Sequence, residues 1–312
     1  MPILKQPEQQ RSPWLVIILV IFLLTSFSIF VLGFVTILFA SGSTAAGNVA
    51  VIPIKGVIMI DDDSSLFSSS GIASSTKIVK QIEDAEKDPS IQAIVLDINS
   101  PGGSPVASAE IARAIKEVNK TTVAVIREVG ASGAYWAASA ADHIIANEVS
   151  VTGSIGVLGS YVEYGGLMER YNVSYQRFVA GDYKDMGTPY QEMSEEEKQL
   201  YQSELDKMHD IFIRSVAENR GMSYDAIKEL ATGQIYLGVD AIQNGLIDQL
   251  GGKKEAYAYL ESNKGITVEP VEYETEKSFL QQLASAMDQT AFRVGTGIGA
   301  VLVKSDNAGI RT

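Results

Sequence analysis

The sequence predicts an α/β layer architecture, parallel β-sheets flanked by helices, preceded by one transmembrane helix. Three observations carry that expectation: β-branched apolar runs recur at intervals that leave room for crossover helices, helically spaced apolar residues fill those intervals, and an uncharged apolar stretch occupies 14–40.

The apolar stretch comes first. At 1.5 Å rise per residue it reaches about 40 Å, enough to cross a hydrocarbon core of about 30 Å with some tilt. A cleaved leader would have an apolar region of only about 7 to 15 residues, so an uncleaved anchor is the expectation. Lys5 and Arg11 precede it and the neutral SGSTAAGN follows. The positive-inside tendency then puts residues 1–13 in the cytoplasm and everything after about residue 41 outside. A Ser, Gly and Ala-rich linker covers 41–48, a catalytic-sized unit 49–274, and a peripheral tail 275–312. The Gly-rich apolar piece VGTGIGAVLV within that tail is too short to span a membrane.

Strands are expected at 49–58, 91–99, 121–129 and 143–154, where the residues are β-branched and apolar. Helices are expected at 76–87 and 106–118 from their apolar spacing. A longer one runs from Ser194 to about Asn219, where Ser-Glu-Glu-Glu supplies a capping-box start with acids at the positive end of the helix dipole. Short apolar pieces alternate with turns over 233–252, a further helix covers 253–261, and ITVEPVEYE closes the unit.

Composition removes whole classes of function. The formal net charge is -13 and no Lys/Arg cluster appears, which argues against a nucleic-acid partner. With no cysteine, thiolate catalysis, disulfides and thiolate metal sites are all excluded. Only two histidines exist, and neither has the surroundings of a triad base. His143 stands at a strand entry beside Asp142, and His209 lies within the long helix as a boundary residue. A serine activated here would need lysine instead.

Two segments have the build of a nucleophile and its oxyanion site. In DINSPGGS (97–104) a strand ends in adjacent glycines before a helix, so a backbone N–H can turn into a cleft. The same pattern also serves as a plain turn. In VGASGAYWAASAA (129–141) Ser132 follows a strand and heads an Ala-rich helix, like the strained corner that exposes a nucleophile. Close helix packing would favour the same small residues.

Together, INSPGG and a small-residue serine 29 positions beyond its second glycine resemble the ClpP/crotonase superfamily of spiral folds. ATP-dependent ClpP peptidases place a histidine base about 25 residues after the serine, where this chain has Val157. Instead TGSIGV (152–157) and GDYKDMGTP (181–189), with the apolar N-terminus, resemble the short, single-domain type of signal peptide peptidase A.

The resemblance spans roughly 49–260 and implies Ser132 as nucleophile, Lys184 as general base, Ser154 as the serine that orients the lysine, and Gly133 with Gly103 as oxyanion donors. It implies no cofactor and no metal. It further implies that cleaved signal peptides are the substrates, met at the bilayer surface, and a homo-oligomer whose serine and lysine come from neighbouring copies. A free lysine, with a pKa of about 10.4, is protonated at neutral pH, so such a base must be desolvated. Tyr183, Met186 and the nearby glycines are the residues expected to do that, with the Asp185 carboxylate facing away. Three alternatives stand beside this reading: a crotonase-like acyl-CoA enzyme, which would need a glutamate beside the glycine turn; a non-catalytic membrane scaffold; and a stomatin-linked Ser-Lys peptidase.

Overall fold

A computed structural model describes residues 14, 17, 18, 20–28, 47–61 and 71–273. The chain divides into a unit of residues 1–46 and a unit of 47–312. In the first, residues 20–28 are helical, with exposed side chains and Thr25 donating back to the Ile21 carbonyl. No helix among the described residues is long and apolar enough to cross a membrane. Most of the anchor expected at 14–40, and the tail beyond 273, lie outside the described residues.

The second unit holds the strands β1 (Val49–Lys55), β2 (Val57–Met59), β3 (Ile72–Ser74), β4 (Ala93–Ser100), β5 (Thr121–Ala131), β6 (His143–Ala146), β7 (Val151–Gly153), β8 (Ile235–Leu237), β9 (Gln249–Leu250) and β10 (Pro270–Glu272). Among the described residues the main sheet runs β10-β1-β4-β5-β6-β9, all parallel. β7 pairs with the far end of β5 and, antiparallel, with β8, while β2 and β3 form a separate parallel pair.

Alternation along the strands sorts the two faces. Ile94, Leu96 and Ile98 of β4 enter one core with Ile52, Ile54 and Ile126, under the helices α1 (Ser75–Lys87), α2 (Pro105–Lys116) and α3 (Gly133–Ser139). Ala93 and Val95 face the other side with Val49, Val51, Val123 and Val125. Four further helices follow α3: α4 (Gly165–Arg170), α5 (Glu195–Arg220), α6 (Tyr224–Leu230) and α7 (Gly238–Gln243). The opposite face is covered by α8 (Lys253–Lys264), which inserts Ala256 and Leu260. Burying Leu260 alone is worth about 2 kcal/mol.

The capping box at the start of α5 is formed: Ser194 accepts from Glu197 N, and the Glu197 carboxylate accepts from Ser194 N. Two expected strands are broken. The run 49–58 splits at Gly56 (φ +89°), because the chain crosses so close to Gly71 that a Cβ on Gly56 would lie 2.2 Å from the Gly71 carbonyl oxygen. The run 143–154 splits because Asn147 and Ser150 close a turn, Ser150 N donating to the Asn147 carbonyl at 3.0 Å and Val149 N to Asn147 Oδ1 at 3.1 Å. Asn and Ser offer the backbone local bonds that compete with a ladder. That turn matters, since it lets β7 leave β6 and pair with the end of β5 that leads to Ser132.

Candidate active site

Between Ile98 and Ser100 of β4 the register with β5 jumps from Ile126 to Gly130, so β5 spends extra residues there. Asn99 Oδ1 accepts Val129 N at 3.1 Å across the bulge, and Ser150 donates to the Arg127 carbonyl. Such bulges re-aim a strand end. Here the end of β5 is turned toward the glycine turn that follows β4.

Ser132 stands at the junction of β5 and α3 with φ +54° and ψ -127°. A non-glycine residue there costs on the order of 1–3 kcal/mol and persists only where its surroundings hold it. They do: Ser132 N donates to the Gly153 carbonyl at 2.8 Å, and the Ser132 carbonyl accepts from Trp136 N at 3.0 Å. Trp136 in turn stacks on Phe212 of α5 at 4.6 Å and donates through Nε1 to Ser215 at 2.7 Å. The half-buried Ser132 hydroxyl has no protein partner among the described residues.

The two small-residue motifs meet at this corner. A Cβ on Gly102 (φ +96°) would lie 2.7 Å from Gly133 N and 2.9 Å from Ser132 Cβ, so nothing larger than glycine lets the turn approach. Gly133 is equally confined, since its Cβ would lie 2.1 Å from Ser108 Oγ and 3.4 Å from Gly103 N. As the first residue of a helix, Gly133 has an N–H with no intrahelical acceptor. Gly103 is bridged to Ile58: Ile58 N donates to the Gly102 carbonyl and Ser104 N to the Ile58 carbonyl, both at 2.8 Å. That bridge uses the groups flanking Gly103 and leaves its own N–H on the side away from β2. Two adjacent free N–H donors beside a serine hydroxyl can hold a developing oxyanion.

Ser154 belongs to the same corner. It follows β7, whose Gly153 is registered with Ala131, and it too has positive φ (+50°), held by its N–H donating to the Gln234 carbonyl at 2.8 Å.

Lys184 is placed differently. It lies in a turn in which its N–H donates to the Gly181 carbonyl at 3.2 Å, its side chain is exposed, and no hydrogen bond or ion pair joins it to Ser132 or Ser154 within the one chain. Tyr183 does not shield it, being 43% exposed with its hydroxyl donating to Glu196 at 2.6 Å. Among the described residues, the low-polarity surroundings expected from Tyr183 are therefore not built around Lys184. Asp185, however, turns its carboxylate to Arg177, accepting from Nε and Nη2 at 2.6 Å each, and that guanidinium holds its carboxyl below the usual range.

Both histidines have their own contacts, and no hydrogen bond joins either to Ser132. His143 Nε2 lies 3.1 Å from Gln249 Oε1 with its ring stacked on Tyr259 at 3.9 Å, and His209 Nε2 faces the Ile155 carbonyl at 3.3 Å. Ser100 and Ser108, not among the residues expected from the sequence, are both buried against the glycines of this corner. Their signal was a serine two positions before a turn glycine and one at helical spacing after it.

Comparison with known proteins decides the family. A model of peptidase family S49 matches residues 114–267, and one of Clp protease matches 56–148. A candidate protease of Methanocaldococcus jannaschii is 36% identical over 227 residues, 72% of this chain and 72% of that one. The chain belongs to peptidase family S49. A candidate signal peptide peptidase SppA of Enterococcus faecium is 34% identical over 223 residues, 70% of this chain and 64% of that protein. Protease 4 of Haemophilus influenzae is 32% identical over 212 residues, 67% of this chain but 34% of its own length. Within the S49 family this is a peptidase of the short SppA type, and its α/β unit includes a Clp protease-like domain.

Proposed function

We propose that this S49 peptidase is a membrane-anchored serine endopeptidase with a Ser132–Lys184 dyad that degrades signal peptides left in the membrane after secretion. The observation that carries the reading is the corner at Ser132: a strained, helix-heading serine with the Gly133 and Gly103 N–H groups beside it. Neutral Lys184 accepts the Ser132 proton as Oγ attacks the peptide carbonyl. The carbonyl oxygen, now anionic, is held by the two N–H groups. As the tetrahedral intermediate collapses, the Lys184 ammonium returns the proton to the leaving amine and an ester on Ser132 remains. Water, deprotonated by Lys184, attacks that ester; as the second tetrahedral intermediate collapses, the Lys184 ammonium returns that proton to the departing Ser132 Oγ and the acid product is released. Ser154 orients the lysine by hydrogen bonding to Nζ.

In this reading the dyad is completed by a second copy, whose surface desolvates Lys184. Support comes from the exposure of the lysine and of apolar side chains in the same stretch of chain, among them Leu158 at 87% and Phe178 at 93%. The uncharged run at 14–40 anchors the chain with its N-terminus in the cytoplasm, and the peptidase unit meets its apolar substrates at the outer bilayer surface.

Ser132→Ala and Lys184→Ala each reduce cleavage of an apolar peptide to background, a loss on the order of 10⁴-fold or more. A fluorophosphonate adduct located by mass spectrometry on Ser132 separates a peptidase from a scaffold. Co-assembling the two inactive variants restores activity if the dyad spans copies, because serine from one then meets lysine from the other. A Lys184→Ala enzyme that keeps most of its activity ends the dyad assignment; co-assembly without rescue ends the shared site.

A further inference from the structure

The oxyanion site needs the peptide plane between Gly102 and Gly103 held in one orientation, and both of those residues are glycines. Glycine gives the close approach to Ser132 and Gly133 that the corner requires, and it also leaves this plane free to rotate. A trans peptide is planar, so its C=O and N–H point in opposite directions. The Gly102 carbonyl accepts Ile58 N at 2.8 Å, which sends the Gly103 N–H away from β2, and Gly103 N lies 3.4 Å from where a Cβ on Gly133 would stand. That bond fixes one end of Gly102. The other end is fixed by a side chain: Ser100 Oγ accepts Gly102 N at 3.1 Å. Ser100 is fully buried, and its backbone is registered with Gly130 at the base of the bulge that carries Ser132. One residue therefore ties the glycine turn to the strand pair that sets the position of the nucleophile.

We propose that Ser100 is a positioning residue that aims the Gly103 N–H at the developing oxyanion. The inference rests on the serine-peptidase reading above and deepens it. Ser100 touches no reacting atom. It acts by keeping Gly102 from rotating, so it matters when negative charge develops on the substrate oxygen and matters little when the ground-state peptide binds.

The test compares kcat, KM and inhibition by a peptide boronate, whose tetrahedral adduct places an oxygen against the two N–H groups. In the full-length assembled enzyme, Ser100→Ala lowers kcat about 10- to 100-fold, leaves KM within about three-fold, and weakens the boronate by the same factor as kcat. Ser100→Thr, which keeps the accepting hydroxyl, recovers most of kcat. Ser100→Cys keeps the volume with a weaker acceptor and carries the same prediction should the alanine variant not fold. A merely structural serine would lower the melting temperature or the yield without splitting kcat from KM. The proposal is overturned if a folded Ser100→Ala or Ser100→Cys enzyme keeps kcat within about three-fold of the original, or if a folded Ser100→Thr enzyme fails to recover it. The underlying reading fails separately, and visibly, if the unaltered enzyme neither cleaves peptide nor takes a phosphonate on Ser132.

Discussion

Around Ser132, each backbone segment that approaches the hydroxyl is fixed by bonds to a different element: β7 through Gly153, α3 through Trp136, β2 through Ile58. Around Lys184 the chain runs from Leu158 to Tyr190 with its large apolar side chains outward, and its short helix α4 buries no residue. One half of the site is preorganised by its own chain, at the cost of a strained serine and glycines that admit no side chain. The proposed lysine half stands on a segment whose apolar surface is left uncovered by the described residues. A nucleophile needs rigidity. A lysine base needs dehydration, which the described residues do not provide.

The two halves should break differently. Gly133→Ala strikes the rigid half most directly, because its Cβ would meet Ser108 Oγ at 2.1 Å; kcat falls about 10²- to 10³-fold by loss of one oxyanion donor, read by steady-state kinetics. A folded Gly133→Ala enzyme of undiminished kcat would show that the packing tolerates movement.

Further from the chemistry but in the same rigid unit, Asp97 is 1% exposed and faces Lys55 and Lys253 at 3.1 Å and Arg127 at 3.3 Å. Burial raises its pKa, but Lys55 and Lys253 outweigh burial and the net direction is down. Asp97→Asn should cost about 3 kcal/mol in denaturant unfolding, since it leaves three cations around a neutral group. Because the folded pKa lies below the unfolded value of about 3.9, this contribution is complete above that value and is lost as pH falls through the folded one. The stability gap between Asp97→Asn and the original chain should therefore narrow below about pH 4.

Phe178→Ser probes the exposed half. Stability should change by no more than about 0.5 kcal/mol, while specific activity drops about ten-fold and becomes steeply dependent on protein concentration. Unchanged activity on dilution would place the lysine's cover elsewhere. The smallest effect is expected of Arg177→Ala, which releases the Asp185 carboxylate beside Lys184. Asp185 then loses the bidentate guanidinium that holds its carboxyl below the usual range, so its pKa should rise toward the ordinary carboxylate value, read by NMR titration.

Much of this was legible along the chain. Parallel strands and their covering helices follow from period-2 and period-3.6 patterns, and the start of α5 follows from Ser194 and Glu197. The small-residue motifs around Gly103 and Ser132 were visible in the sequence, but the roles of Ser132, Gly133 and Gly103 came from the resemblance those motifs carry, since plain turns and close packing favour the same residues. The break at Gly56 was not legible, since it depends on Gly71, brought near only by folding; the break at 147–150 rests on local bonds of Asn147 and Ser150 that the β-branched pattern of the run masked.

By itself the sequence determined the layer architecture, the residue types available for catalysis and the exclusion of thiolate chemistry, because these depend on local periodicity and composition. Only the tertiary structure decided which way the Gly103 N–H points, that Ser100 holds its turn, and that Lys184 stands exposed in a single copy. Those are properties of contacts between residues distant in the chain, and orientation and dehydration arise only where such contacts form or are left open.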